Sequence, residues 1–235
     1  MDTNKNIART IGILYIIGTI SGIVSLVLTE PIRKAQDPLI HISTNGNQII
    51  LGALFVLVMG LALALIPVVA FPVLRKHNGT LAVGYIVFRG GLETAGYIAM
   101  TVSWLLLVPL SQAYQAGSAE APHFLALGNV LLESNQLDSV STIVFCLGAL
   151  IFYYLLFRSK LVPVWLSGWG LLAILLYLAA GLLAMFSLID PASTQIYLNL
   201  PLAVQEMVLA VWLIVKGFNT PALAARPAIQ AASIQ

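Results

Sequence analysis

Charge is scarce in this chain. Lys, Arg, Asp and Glu make up 9% of its 235 residues, where a soluble domain carries about a quarter. So few charges cannot keep a folded surface wet. That excludes a water-soluble globule and leaves lipid as the solvent for a chain that is 60% hydrophobic. The net charge of +2 comes without a basic stripe interleaved with aromatics, so no nucleic-acid partner is expected. One cysteine, Cys146, excludes an internal disulfide and a multi-cysteine metal site. It sits in an apolar run and reads as a small packing residue with a free, shielded thiol. His41, His77 and His123 fall in three separate loops without ligand spacing, so no metal is expected. There is no Gly-rich phosphate loop, no Gly-x-Ser-x-Gly and no His-Glu-x-x-His. No cofactor is therefore expected, and an enzyme would have to work from buried charges alone.

What is present is a series of long apolar runs. A membrane span needs about 20 mostly apolar residues, because the hydrocarbon core is about 30 Å thick and a helix rises about 1.5 Å per residue. Six windows fit: Ile11–Leu28, Ile49–Leu74, Leu81–Leu107, Asp138–Phe157, Val162–Leu188 and a last run ending at Val215. The first follows Lys5 and Arg9 as a secretory signal would. It is too long for a signal core and has no clean cleavage site, so it reads as a retained span. The last is open to two readings: Pro201 opens it at the first helical turn, or Ile196–Leu200 continues it as a bent segment. The expected fold is all-α, a polytopic six-helix bundle in one domain over residues 1–218. Residues 219–235, rich in alanine and proline without an amphipathic pattern, read as a disordered tail.

Lysine and arginine in short loops set orientation. With the N-terminus inside, Lys5, Arg9, Arg75, Lys76, Arg158, Lys160, Lys216 and Arg226 are cytoplasmic, and only Arg33 and Lys34 are outside. This eight-to-two bias predicts both termini in the cytoplasm. Trp165, Trp169 and Tyr153–Tyr154 would anchor the inner interface and Trp104 the outer one. The outer loops are Thr29–Gln48, Val108–Leu137 and a short one at Asp190–Thr194; Phe124–Leu132 in the second is apolar enough to lie in the interface or to extend the fourth helix.

Ionisable residues inside a bilayer cost roughly 2.5–3.5 kcal/mol on insertion scales, so each needs a reason. Arg89 and Glu93 lie four apart in the third span, and Glu206 lies in the sixth. Counted from the inner ends, their depths are about 12, 18 and 15 Å. They would meet in one layer if the third and sixth helices are neighbours. One reading is a ligand-binding site in the bundle interior, with Arg89 offering its fork to a carboxylate or phosphate or holding a proton-carrying glutamate. The other is that the charges neutralise one another and fix helix register. A second polar set comprises Asn47, Gln48, Glu133, Asp138 and Gln205. Most of it sits at outer helix mouths, where it reads either as helix caps or as the entrance to a buried site. Gly18-x-x-x-Gly22 matches a close-packing pattern that serves internal packing or an oligomer face. Three helices on either side of the second outer loop would fit an inverted repeat. The residues around Glu93 and Glu206 do not resemble each other, so no repeat is derived.

Asn45–Phe55 (NGNQIILGALF), Leu81–Ala95 (LAVGYIVFRGGLETA), Phe152–Leu172 (FYYLLFRSKLVPVWLSGWGLL) and Leu200–Phe218 (LPLAVQEMVLAVWLIVKGF) carry a family resemblance. They resemble a bacterial membrane family known as domain of unknown function 4386, and with the first span they cover most of residues 8–218. The resemblance implies a bacterial inner-membrane protein of about six helices, with Arg89, Glu93 and Glu206 at charged positions of the family pattern. Leu132–Ser139 fits that pattern poorly. No activity comes with the family. Two function classes follow from the residues: a small-molecule or lipid binding or transport protein using the buried Arg/Glu layer, and a non-catalytic interaction subunit in which those charges are structural.

Overall fold

The computed structural model describes residues 3–117, 121–132, 135–189 and 196–219. Glu133, the short loop at Asp190–Thr194 and all of the expected tail 219–235 except Asn219 lie outside the described residues. Long apolar segments must satisfy their backbone groups internally in lipid, and an α-helix does so alone. The helices are α1 (Thr3–Arg33), α2 (Pro38–Thr44), α3 (Gly46–Leu74), α4 (Gly79–Tyr85), α5 (Glu93–Gln115), α6 (Ala121–Leu132), α7 (Asn135–Ser159), α8 (Val164–Met185) and α9 (Ile196–Val215). A π-helical segment, Ile86–Leu92, joins α4 to α5 without a break, so Gly79–Gln115 is one span. Among the described residues, six helical stretches are long and apolar enough to cross a membrane, and the chain is a multi-pass membrane protein.

Each span packs on its successor: α1 on α3, α3 on α5 and the π segment, the π segment on α7, α7 on α8, and α8 on α9. Because α9 returns to pack on α1, the six spans form a closed ring, with both terminal segments at one end of it. The larger apolar core fills that terminal half, from Ala8 and Ile11 to Leu209 and Leu213. A smaller core at the far end joins Ile32, Leu39, Ile49, Trp104, Leu107 and Leu132.

Several expectations need correction. Trp104 is 5% exposed in the far-end core, and Tyr153 is fully buried inside the ring. Neither is an interfacial anchor, whereas Trp165 and Tyr154 are exposed. Val108–Gln115 continues α5 through Pro109 rather than starting a loop. The first outer loop contains α2, whose first turn is capped by the Asp37 carboxylate accepting from the Ile40 N–H at 3.1 Å. The apolar stretch Phe124–Leu132 within the second outer loop belongs to a separate helix, α6, lying on α5 and α2. Pro201 does not open the last span: α9 begins at Ile196 and runs through it.

Lipid is as apolar as leucine, so membrane helices gain from close approach and shared hydrogen bonds instead of from burial. Gly18 meets Leu63 of α3 and Gly22 meets Met59, so the glycine stripe of α1 serves close packing within the chain. Ser25 Oγ donates to the Gly52 carbonyl at 2.9 Å, and Gln48 Nε2 to the Leu28 carbonyl at 2.8 Å. At the terminal end, Lys160 adopts a left-handed φ of 54° in the turn before α8. Asn219 clamps that turn, its backbone N–H donating to the Leu161 carbonyl at 2.8 Å and its Nδ2 to the Lys160 carbonyl at 2.7 Å.

Candidate functional site

The ring closes around a polar layer built mainly from the third span. Tyr85, Arg89, Glu93 and Tyr97 recur every four residues. In an ideal α-helix this repeat drifts about 40° round the axis per step. The π turn between Ile86 and Leu92 is wider, each N–H reaching back five residues, and turns the repeat the other way. Arg89 and Glu93 consequently share one interior line, 2% and 4% exposed. The wide turn is accommodated by small neighbours. Gly90 lies over Pro67 and the Ala64 carbonyl of α3, and Gly148 lets α7 approach the Arg89 backbone.

Arg89 Nη1 donates to both Glu93 oxygens at 3.1 Å. Tyr97 donates its hydroxyl to Glu93 Oε1 at 3.0 Å, so this carboxylate is well supplied with donors. The Phe145 ring of α7 lies 4.7 Å under the guanidinium, within cation–π range. Tyr177 of α8 meets that ring edge-on. Glu206 approaches from α9, which lies across the ring rather than beside the third span. Its Oε1 is 3.9 Å from Arg89 Nη2. It is the loosely held partner, and its side chain is 17% exposed against 3% for Glu93. Arg89 Nε is buried without a hydrogen-bond partner among the described residues. Among the described residues, Tyr85 makes no well-formed hydrogen bond through its hydroxyl, although Tyr15 of α1 lies close to it. The Tyr85 ring stacks on Phe152 at 4.8 Å between centroids.

The second-tier residues divide. Gln205 is fully buried, accepting from the Tyr153 hydroxyl at 2.6 Å and donating to the Leu166 carbonyl at 3.0 Å. It ties α9 to α7 and α8 beside the charged layer. Asn47 and Gln48 line a separate polar hollow at the far end with Thr44, Asn45 and Gln112, and the structure does not bring them to Arg89. Asp138 is in the first turn of α7. Reading the charges alone missed Tyr15, Tyr85, Tyr97, Phe145 and Tyr153. The four-residue repeat of tyrosines around Arg89 and Glu93 was the available signal. Among the described residues, no three His, Cys, Asp or Glu side chains come together as a metal site.

The family model that matches this chain is described as a domain of unknown function (DUF4386) and covers residues 10–217, all of the six-span ring but the first residues of α1. No curated protein and no solved structure matches the chain.

Proposed function

The chain belongs to the DUF4386 family, and from that premise we propose that it binds a small polar solute at the centre of the ring, with Glu206 as the reachable group, and carries it across the membrane. The carrying observation is the uneven satisfaction of the charged layer. Glu93 is held by Arg89 and Tyr97 and is closed off, which fits a structural role. Glu206 is loose and partly accessible, and beside it Arg89 Nε is a buried donor without an acceptor among the described residues. Buried polar atoms without partners mark places where water or a ligand completes the network. The complementary solute offers an acceptor to Arg89 and a donor, such as an ammonium group, to Glu206. One cation facing two carboxylates also leaves negative charge for such a group to neutralise.

The test is reagent access. In a Glu206→Cys variant, Cys146 is an internal control because it is fully buried. A charged, water-soluble thiol reagent is expected to modify position 206 much faster than Cys146. Modification of the two at the same slow rate would mean a dry bundle, and would favour the second reading, an interaction subunit whose charges only hold the helices together.

We also propose that the terminal end of the ring faces the cytoplasm of a bacterial inner membrane. Lys5, Arg9, Arg75, Lys76, Arg158, Lys160 and Lys216 all lie at that end, and short loops rich in Lys and Arg stay inside. An impermeant thiol reagent added to intact cells is expected to label Gln112→Cys and not Lys76→Cys, both positions being exposed. The opposite pattern would reverse the orientation.

A further inference from the structure

The outer face of α9 carries a second feature, separate from the charged layer. Leu202, Gln205, Leu209 and Leu213 are buried and turn inward. Val204, Val208 and Val211 follow helical spacing on the opposite side. They line an apolar groove of about 710 Å³ between α9 and α1. The two helices touch at Gly12, where an added Cβ would lie 2.5 Å from the Ala210 carbonyl oxygen. α1 then contributes Thr19 and Ile23 to the groove, which ends at Lys216.

The groove has the length of one leaflet. From Ala203 to Lys216 the helix rises about 20 Å, which matches half of a bilayer that is about 40–45 Å thick with its interfaces. Thr19 is near the middle of α1, so the groove runs from the bilayer centre to the terminal-side surface. Cations gather at its surface end. Lys216 lines it, Gly217 lies against the Lys5 stem, and Arg9 Nε donates to the Ile214 carbonyl at 3.4 Å. All three side chains are exposed. Apart from Asp2, which lies outside the described residues, the chain places no Asp or Glu in the segments at this end.

We propose that this groove is a binding site for an anionic phospholipid, one acyl chain lying along Val204–Val215 and the phosphate resting on Lys216, Lys5 and Arg9. Apolar walls alone would accept any lipid tail. The cations at one end, which form no ion pair among the described residues, select for a negatively charged headgroup. The site is independent of the solute site at Glu206, because the two occupy opposite faces of α9.

The full chain, purified in detergent and offered phosphatidylglycerol or phosphatidylcholine in mixed micelles, tests this by native mass spectrometry. One phosphatidylglycerol per chain is expected to survive delipidation in preference to phosphatidylcholine. Lys216→Ala and Lys5→Ala are each expected to reduce that preference about fivefold. Val211→Trp, which fills the groove, is expected to remove the retained lipid. Leu172→Trp, on an exposed face of α8, should leave it in place. Equal retention of the two lipids, or retention unaffected by both Lys216→Ala and Val211→Trp, would identify ordinary boundary lipid only and overturn the proposal.

Discussion

Arg89→Ala is expected to lower the apparent unfolding temperature in detergent by about 10 °C. Removing one member of a buried ion pair typically costs about 3–5 kcal/mol, and a chain of this size shifts by about 2–4 °C per kcal/mol. The cost arises because Glu93 and Glu206 both lose their cation while remaining inside the ring. Neutralising them in the same chain, by Glu93→Gln and Glu206→Gln, should recover much of the loss, since no uncompensated charge then remains. The single variants should differ. Glu93→Gln weakens the close contact to Arg89 and the Tyr97 hydrogen bond, and should destabilise clearly. Glu206→Gln removes only a 3.9 Å contact and should be milder. Thermal unfolding of the five proteins checks this. An Arg89→Ala chain as stable as the parent would show that the layer is not held by this pair.

Gly12→Leu is expected to have a comparably large effect by a different route. The first and last spans close the ring at this point, and even a methyl group would lie 2.5 Å from the Ala210 carbonyl oxygen and 2.7 Å from Ile214 Cγ1. The obstacle is backbone, so it does not yield by a rotamer change. Overpacking of this kind costs about 1–3 kcal/mol, and more when a helix must move. Gly12→Leu should therefore reduce the yield of monodisperse protein and lower its unfolding temperature by several degrees. Gly91→Ala is the control, since nothing lies within 4 Å of the added carbon there. Similar behaviour of the two variants would mean that α1 and α9 are not tightly apposed.

The prolines and aromatics show where reading the chain stops. Pro201 was expected either to open or to bend the last span, and only α9 itself, starting at Ile196, distinguishes the two. Trp104 and Tyr153 look like interfacial anchors from their place near span ends. Whether such a ring meets headgroups or other helices depends on which side of its helix faces the bundle, and that is a property of neighbours. The second-tier set divides for a related reason: Gln205 is buried beside the charged layer, whereas Asn47 and Gln48 are polar at a helix mouth that opens on a hollow whose lining does not include Arg89.

The sequence by itself determined the membrane environment, the six spans and the three costly charges within them. Those properties follow from local composition and length, because lipid penalises every charge and every unpaired backbone group wherever the chain goes. The four-residue recurrence of Tyr85, Arg89, Glu93 and Tyr97 was also legible, though its meaning was not. Tertiary structure alone decided the closed ring and the placement of α9 across from the third span. It also decided the π turn that aligns the four residues and the different fates of two chemically identical carboxylates. Glu93 is closed off by its own helix and Glu206 is held loosely across the ring. That distinction depends on distances between segments more than 100 residues apart, which no local pattern encodes.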